Sequence, residues 1–166
     1  MRVYRISRWL VALSVASCVG LASPAPRAQG TDPATTANGA KLAQLLPQTG
    51  YTYKTHNNTT WSIEVPRKNI GNVRVIISVG SDIVVTFAIL AKKAALQKTV
   101  AFYESLATAN HDYDYAKIGL DKDGDLFVRI DTSARLIDAK ELKSVIDQVA
   151  NASNEVYAKV SGSIRR

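Results

Sequence analysis

Cysteine is nearly absent from this chain of 166 residues, and its single copy, Cys18, lies close to the amino terminus. If the terminal segment is removed on export, the remaining chain can form no disulfide, thiolate nucleophile or cysteine-based metal site. Histidine is almost as scarce, since His56 and His111 are its two copies. These absences exclude much of the common catalytic and metal-binding chemistry.

The sequence motifs of the common enzyme classes are also missing. No serine lies in a Gly-x-Ser-x-Gly elbow, and no glycine-rich loop joins a strand to a helix with the spacing that cradles phosphate. The glutamates Glu64, Glu104, Glu141 and Glu155 fall on polar faces of predicted strands and helices, where carboxylates stay solvated. We therefore expect a protein that is not an enzyme and that binds neither a cofactor nor a metal.

The amino-terminal segment has the composition of an export signal. Residues 1–8 carry three arginines and no acid, and the run Trp9–Ala22 is uncharged and rich in Leu, Val and Ala. That run of about 14 residues is shorter than the roughly 20 that cross a bilayer comfortably. A stretch of small residues and prolines follows, as at processing sites. The pattern predicts a cleaved Sec signal peptide over residues 1–28 and a mature protein that is periplasmic or secreted by a bacterium.

Cys18 leaves an alternative to simple cleavage. It follows Val15-Ala16-Ser17, which resembles a lipoprotein cleavage box, and a lipidated cysteine would anchor the protein in a membrane. The apolar stretch continues past Cys18 through Leu21, which favours cleavage between Ala22 and Ala28 instead. We expect membrane attachment only if Cys18 is lipidated.

The net charge is modest once the signal is set aside. The formal charge of the whole chain is +7, and the signal segment holds four arginines and no acid, so the mature chain carries about +3. Nucleic-acid binding needs a clustered basic face, and the remaining lysines and arginines are scattered. We expect no nucleic-acid partner, and a mature chain of about 138 residues suits a single domain.

The hydrophobic pattern predicts an α+β domain over residues 39–162, preceded by a flexible leader over residues 29–38. Alternating or β-branched segments predict strands, and apolar residues at three- and four-residue steps predict helices. The expected elements are a helix from Asn38 or Gly39 to Pro47, strands over 51–55, 61–65, 73–79 and 83–90, a helix from Ala94 to Asn110, a hairpin of 115–121 and 126–131, and a helix capped by Asp138 and ending near Gly162. The order is αββββαββα, with an antiparallel twisted sheet of about five to six strands packed against helices.

The predicted strand Ile83–Leu90 is apolar on both of its faces. Val84, Ala88 and Leu90 alternate with Val85, Phe87 and Ile89, and so point to the opposite side of the sheet. We expect helices to cover one side and a partner to cover the other.

Two clusters of polar residues invite a metal hypothesis. The segment Asp121–Asp125 offers alternate aspartates, but an EF-hand loop needs glycine sixth and glutamate twelfth, where this chain has glycine fourth and Thr132 twelfth. We interpret the segment as a hairpin turn around Asp-Gly. The second cluster is His111, Asp112 and Asp114, at a predicted junction between helix and strand, where such residues are common in loops.

Aromatic residues give a further candidate site. Trp61 and Tyr51, Tyr53, Tyr113 and Tyr115 could line a ligand groove, or they could pack against neighbouring strands. The pattern alone favours packing.

The order of elements resembles the type III secretion chaperone-like fold, and more narrowly the bacterial sensory transduction regulator-type families placed in it. The resemblance covers about Gly39 to Val160. It is carried by Leu106–Asn110, Ala116–Asp121, Asp123–Val128 and the helix that follows Asp138. It implies a non-catalytic protein, typically a homodimer, that holds an extended segment of a partner against its sheet and helix surface.

The resemblance also implies which residues contact the partner or a second copy. The predicted partner-binding residues are Trp61, Val75, Ile77, Val84, Leu90, Val100 and Tyr103. Secretion chaperones lack an export signal and are acidic, whereas this chain has such a signal and a basic balance. We therefore expect an exported protein-binding or regulatory module of the bacterial envelope. The alternative is a small-ligand or cell-wall-binding domain that uses an aromatic groove.

Overall fold

A computed structural model describes residues 32–165. The predicted signal peptide over residues 1–28, with Cys18, and residues 29–31 of the predicted leader lie outside the described residues.

The described chain forms three helices and six strands in the predicted order αββββαββα, so the predicted α+β class is confirmed. All strand pairs are antiparallel, and the spatial order is β1-β2-β3-β4-β6-β5. The elements are α1 Pro33–Leu45, β1 Tyr53–Asn57, β2 Thr60–Arg67, β3 Gly71–Val79, β4 Ile83–Ala91, α2 Val100–Asp112, β5 Lys117–Leu120, β6 Leu126–Ser133 and α3 Ala139–Val160.

The core lies between one face of the sheet and α3. This helix contacts β2, β3, β4 and β6, while α1 packs on β3 and α2 packs on α3 and β5. Strand side chains of one parity point under the helices and are buried, among them Ile63, Val75, Val84 and Val128. No helix within residues 32–165 is both long enough and apolar enough to span a bilayer.

The long helix α3 forms as its sequence predicts. Asp138 caps it, because a carboxylate oxygen of Asp138 accepts a hydrogen bond of 2.8 Å from the backbone N–H of Glu141. Its apolar side chains recur at helical spacing and are buried against the sheet, from Leu142 through Val149 to Val160. Each such buried aliphatic side chain contributes about 1.5–3 kcal/mol through the hydrophobic effect.

The predicted flexible leader is wrong for residues 33–38, because α1 begins at Pro33 rather than at Asn38 or Gly39. Asp32 caps the helix and Pro33 occupies its first turn, which is a favourable start for a helix. The side-chain amide of Asn38 donates hydrogen bonds to the carbonyls of Gly80 and Ser81, at 3.1 and 2.7 Å. These bonds attach α1 to the turn between β3 and β4.

The predicted start of α2 at Ala94 is also wrong, since the helix begins at Val100 behind the cap Thr99. Lys93–Ala95 forms a short 3-10 helix instead, and the chain from Ala95 to Gln97 pairs with the segment that follows α3. The N–H of Gln97 donates to the carbonyl of Ser163, and the N–H of Arg165 donates to the carbonyl of Ala95, both at 2.8 Å. A pairing across almost seventy residues leaves no signal in local periodicity.

Gly39 lies where α1 crosses closest to the turn between β1 and β2. A methyl group at this position would overlap the backbone carbonyl of Asn58. We expect Gly39→Ala to destabilise the protein by about 1–3 kcal/mol, although alanine normally favours a helix interior. Urea titration of each variant gives the free energy of unfolding, and so measures the destabilisation. Gly162→Ala is the control, because space around Gly162 is open, and an equal loss in both variants would contradict the explanation.

Candidate functional site: the open face of the sheet

The sheet has a second face that no described element covers, here called the open face. It is formed by the alternate strand residues whose side chains point away from the core. On β3, β4 and β6 these residues are half-buried or exposed. In the register of the sheet, Ile76, Phe87, Arg129 and Lys117 form one row across four strands. A whole side of the sheet is thus available to solvent.

An apolar stripe runs along β4 at the middle of this face. It comprises Ile83, Val85, Phe87 and Ile89 of β4, with Ile76 beside it on β3 and Phe127 beside it on β6. Ile83 is 42% exposed and the other members are half-buried. Contiguous apolar surface of this kind is a candidate site of interaction with another molecule.

Shallow depressions connect the stripe with the rest of the open face. One of about 170 Å³ is lined by Val85, Phe87, Ile89 and Phe127 among others. A second, of about 550 Å³, shares Ile89 with it and extends across β3 to β2. A third, of about 300 Å³, continues to β1. The first and second depressions share Ile89, and the second and third share Glu64 and Arg74, so together they form one broad trough that is open to solvent.

Charged residues flank the stripe on the side of β6 and β5. The carboxylate of Asp131 accepts hydrogen bonds from Arg129 at 2.6 Å and from Lys117 at 2.8 Å. Partial burial alone would raise the pKa of Asp131, but the hydrogen bonds from Arg129 and Lys117 outweigh it and lower that pKa. Asp131 is therefore ionised at neutral pH, and two cations share its single charge.

The opposite flank holds an ion pair between β3 and β2, with Lys54 of β1 beside it. The guanidinium Nε of Arg74 on β3 donates to Glu64 on β2 at 2.6 Å, which pairs one cation with one anion. At the end of the stripe, Lys92 donates to Asp125 at 2.7 Å. That hydrogen bond has the largest effect on the pKa of Asp125, and the hydrogen bond from the backbone N–H of Lys93 has the next largest. Both lower this pKa.

The segment Asp121–Asp125 forms the turn between β5 and β6, as interpreted from the sequence. Asp121 accepts hydrogen bonds from the backbone N–H groups of Asp123 and Asp125, both at 2.9 Å, and Gly124 adopts a positive φ of 83°. The carboxylate of Asp121 thus bonds within the turn, and the carboxylate of Asp125 bonds to Lys92. Asp121 also lines the depression beside Phe127.

Four of the seven predicted partner-binding residues belong to the core, which corrects the prediction for them. Trp61, Val75, Ile77 and Val84 are at most 2% exposed and point under the helices. Their strand parity is that of the covered face, so a partner cannot reach them while the domain is folded.

The other three predicted residues lie on accessible surface, in two places. Leu90 is the extra residue of a bulge in β4, between Ile89 and Ala91, and lines the second depression of the open face. Val100 and Tyr103 lie on the outer side of α2, where they are 75% and 49% exposed. The structure therefore does not unite the predicted set into one surface.

The sequence prediction missed the residues that form the stripe, although it recognised that both faces of β4 are apolar. The prediction did not decide which face of β4 the helices cover. The parity of β3 is visible in the sequence, because polar Arg74 and Ser78 alternate with the apolar core residues. The tight turn then pairs Val79 with Val84, which places Val84 in the core and Val85 on the open face.

The aromatic residues considered as a ligand groove do not form one site. Tyr53 and Trp61 line a common depression of about 340 Å³ beside α1, and the other three tyrosines lie elsewhere. The hydroxyl of Tyr51 donates to Asp147, and that of Tyr113 donates to Glu155 at 2.6 Å. These carboxylates are eight residues apart on α3, a distance of about 12 Å along the helix. Tyr115 is exposed beyond α2, and Trp61 is buried.

The second candidate cluster does not converge either. Asp112 accepts a hydrogen bond from Lys159, which lowers its pKa, while His111 and Asp114 are exposed. Within residues 32–165, no group of three or more His, Cys, Asp or Glu side chains is arranged to hold a metal ion.

The fold and the open face define a class of protein: an α+β domain whose antiparallel sheet is packed by helices on one side and accessible on the other. The sequence profile of the YbjN family, described as "Putative bacterial sensory transduction regulator", matches residues 39–161. The chain belongs to the YbjN family. This confirms the resemblance to sensory transduction regulators.

A solved structure supports the fold. The chain is similar to "Crystal structure of YbjN, a putative transcription regulator from E. coli", with a TM-score of 0.55 and 13% identity, over 75% of this chain and 91% of that chain. At this identity the likeness shows the shared fold alone. Among curated proteins, none matches the sequence.

The ion pairs of Asp131 give the open face a pH dependence. Because the folded pKa of Asp131 is lowered, its stabilising effect is complete above the ordinary aspartate pKa of about 4 and is lost as the pH falls through the folded value. We expect Asp131→Asn to lower the free energy of unfolding by about 1 kcal/mol at pH 7, with a difference that shrinks in acid. Urea titrations across pH 2–7 measure it. Asp114→Asn is the control, because Asp114 is exposed and lies outside the described ion pairs. If Asp131→Asn lowered the free energy of unfolding equally at every pH, the ion pairs would not be the cause.

Proposed function

We propose that the protein is an exported, non-catalytic module of the bacterial envelope that binds another protein through the open face of its sheet. The observation that carries this proposal is the apolar stripe along β4, which no described element covers. Membership of a family described as regulators agrees with a role in binding rather than in catalysis.

Shape and chemistry favour a protein over a small ligand as the bound partner. The depressions of the open face are continuous and open to solvent, and their apolar centre is bordered by charged side chains. Protein interfaces have this arrangement of an apolar centre and a polar rim. The alternative function requires an aromatic groove. Tyr53 and Trp61 do line one depression, but Trp61 is only 2% exposed there and the other tyrosines lie elsewhere, so the groove has less support than the stripe.

The outer side of α2 is a second accessible surface. Val100 and Tyr103 are exposed there, and the predicted homodimer, which stays a prediction, could use this side of the molecule. The stripe is the larger apolar surface, so we assign partner binding to it.

Export is proposed from the sequence of residues 1–28. We expect residues 1–31, fused to a reporter enzyme that is active only outside the cytoplasm, to give full reporter activity. Leu13→Arg should abolish that activity, because it interrupts the apolar run with a charge. Cys18→Ala serves as the matched variant: unchanged export and an unchanged mass of the mature protein indicate cleavage without lipidation. Full activity of the Leu13→Arg fusion would refute the signal.

Photo-crosslinking in living cells tests the binding surface. A photoreactive phenylalanine derivative replaces Phe87 in the stripe, Tyr103 on α2, or Lys140 on the exposed side of α3. We expect a discrete adduct with another protein from position 87 and at least tenfold less from position 140, because crosslinking requires contact. Position 103 reports on the α2 surface.

The same experiment can refute the assignment. Equal adducts from positions 87 and 140 would show unspecific collision, and an adduct confined to position 103 would move the interface to α2. A melting temperature within a few degrees of the unmodified protein is required for each variant, so that loss of folding is not mistaken for loss of contact.

A further inference from the structure

We propose that the apolar stripe binds one amphipathic α-helix of a partner protein, about 13 residues long and lying along β4. This inference rests on the proposed function and names the conformation and the charge of the segment that is bound.

The dimensions of the stripe match a single helix. From Ile83 to Ile89 the strand advances by six residues, or about 20 Å, which an α-helix covers with about 13 residues. The stripe reaches from Ile76 on β3 to Phe127 on β6, across two strand spacings or about 10 Å. This width equals the diameter of a helix with its side chains.

Backbone hydrogen bonding also favours a helix over an extended segment. β4 is paired with β3 on one side and β6 on the other, so its N–H and C=O groups are already bonded within the sheet. An extended segment laid on this face would cover its own backbone polar groups without partners for them, which is costly. A helix satisfies those groups internally.

The edges of the sheet do not offer a better place for an extended segment. At β5, the side chain of Asn110 accepts from the N–H of Ile118 at 2.9 Å and donates to its carbonyl at 2.6 Å, and so occupies the outward groups of that residue. At β1, the strand has five residues, polar exposed side chains and an irregular register between Thr55 and Asn57. Short, bulged and polar edges disfavour strand addition.

The flanking charges predict the sign of the partner. Arg129 and Lys117 share the one carboxylate of Asp131, so the part of this flank around Lys117 keeps an excess positive charge. Asp121 places a further carboxylate at the other end of the flank, beside Phe127. On the opposite flank Arg74 pairs with Glu64, and Lys54 lines the same depression. A helix with carboxylates along the edge that faces Lys117 complements this arrangement.

A second copy of the domain fits the stripe less well. Two open faces laid together would cover the polar portions of β1 and β2 as well as the stripe. Lys54, His56 and Glu64 would then lose water without a matching apolar gain. The stripe alone is narrower than a sheet-on-sheet interface.

The test uses the mature protein and designed 18-residue peptides, with binding measured by fluorescence anisotropy. The first peptide is a stapled helix with leucines at three- and four-residue spacing and glutamates along one edge. The second has the same composition reordered to alternate with period two, and the third replaces the edge glutamates with lysines. We expect saturable binding of the first peptide and at least tenfold weaker binding of the other two.

Protein variants locate the binding site. Phe87→Glu should weaken binding of the first peptide at least tenfold, whereas Val100→Glu on α2 should change it less than twofold. Ile89→Gln is a milder second variant in case Phe87→Glu does not fold. Lys117→Glu should reduce the preference for glutamate over lysine edges, because it reverses the charge that sets this preference.

Three outcomes would overturn the inference. Equal or tighter binding of the alternating peptide would mean that an extended segment is bound, which leaves the proposed function intact. A mature protein that is dimeric by light scattering, and monomeric only as Phe87→Glu, would mean that a second copy covers the stripe. Binding that is lost in Val100→Glu but kept in Phe87→Glu would place the site on α2.

Discussion

The one-sided packing of α3 on the sheet is the constraint on which the rest of this structure depends. β4 is the strand with apolar residues on both faces, and it lies at the middle of the sheet between β3 and β6. Within residues 32–165, α3 is the one long amphipathic helix that can cover this strand, and it covers one side. Val84 and Ala88 are therefore buried, while Val85 and Phe87 on the same strand keep contact with solvent. One face of β4 thus stabilises the domain, and the opposite face forms the surface to which we assign partner binding.

In the interface that we propose, the polar residues around the stripe add selectivity rather than affinity. Exposed ion pairs such as Arg74 with Glu64 contribute little to stability in water. Their geometry nevertheless fixes where charge stands relative to the apolar centre, and complementary charge sets which partners are accepted. This arrangement is consistent with a family described as regulators, because regulation requires a partner to be recognised and released.

The class, the order of elements and the last helix could be predicted from the sequence, because each rests on local signals: alternation in the strands, the Asp-Gly turn, and the cap at Asp138. The starts of α1 and α2 could not be predicted, because both depend on contacts between distant parts of the chain. Hydrogen bonds from Asn38 attach α1 to a turn about forty residues away, and the pairing of Ala95–Gln97 with Ser163–Arg165 moves the start of α2 to Val100. Part of the candidate site could be predicted. Apolar residues on both faces of β4 led to the expectation of a partner, which stays a prediction. Deciding that Val84 is covered and Val85 is accessible required the register across the turn from β3, and a register relates two strands rather than one.

The short pairing of Ala95–Gln97 with Ser163–Arg165 joins the connection between β4 and α2 to the residues that follow α3. The loop that this pairing closes contains α2, β5, β6 and α3, and closing a loop of almost seventy residues costs conformational entropy. The pairing therefore depends on the packing of α3 against the sheet, which brings the two segments together before their hydrogen bonds form.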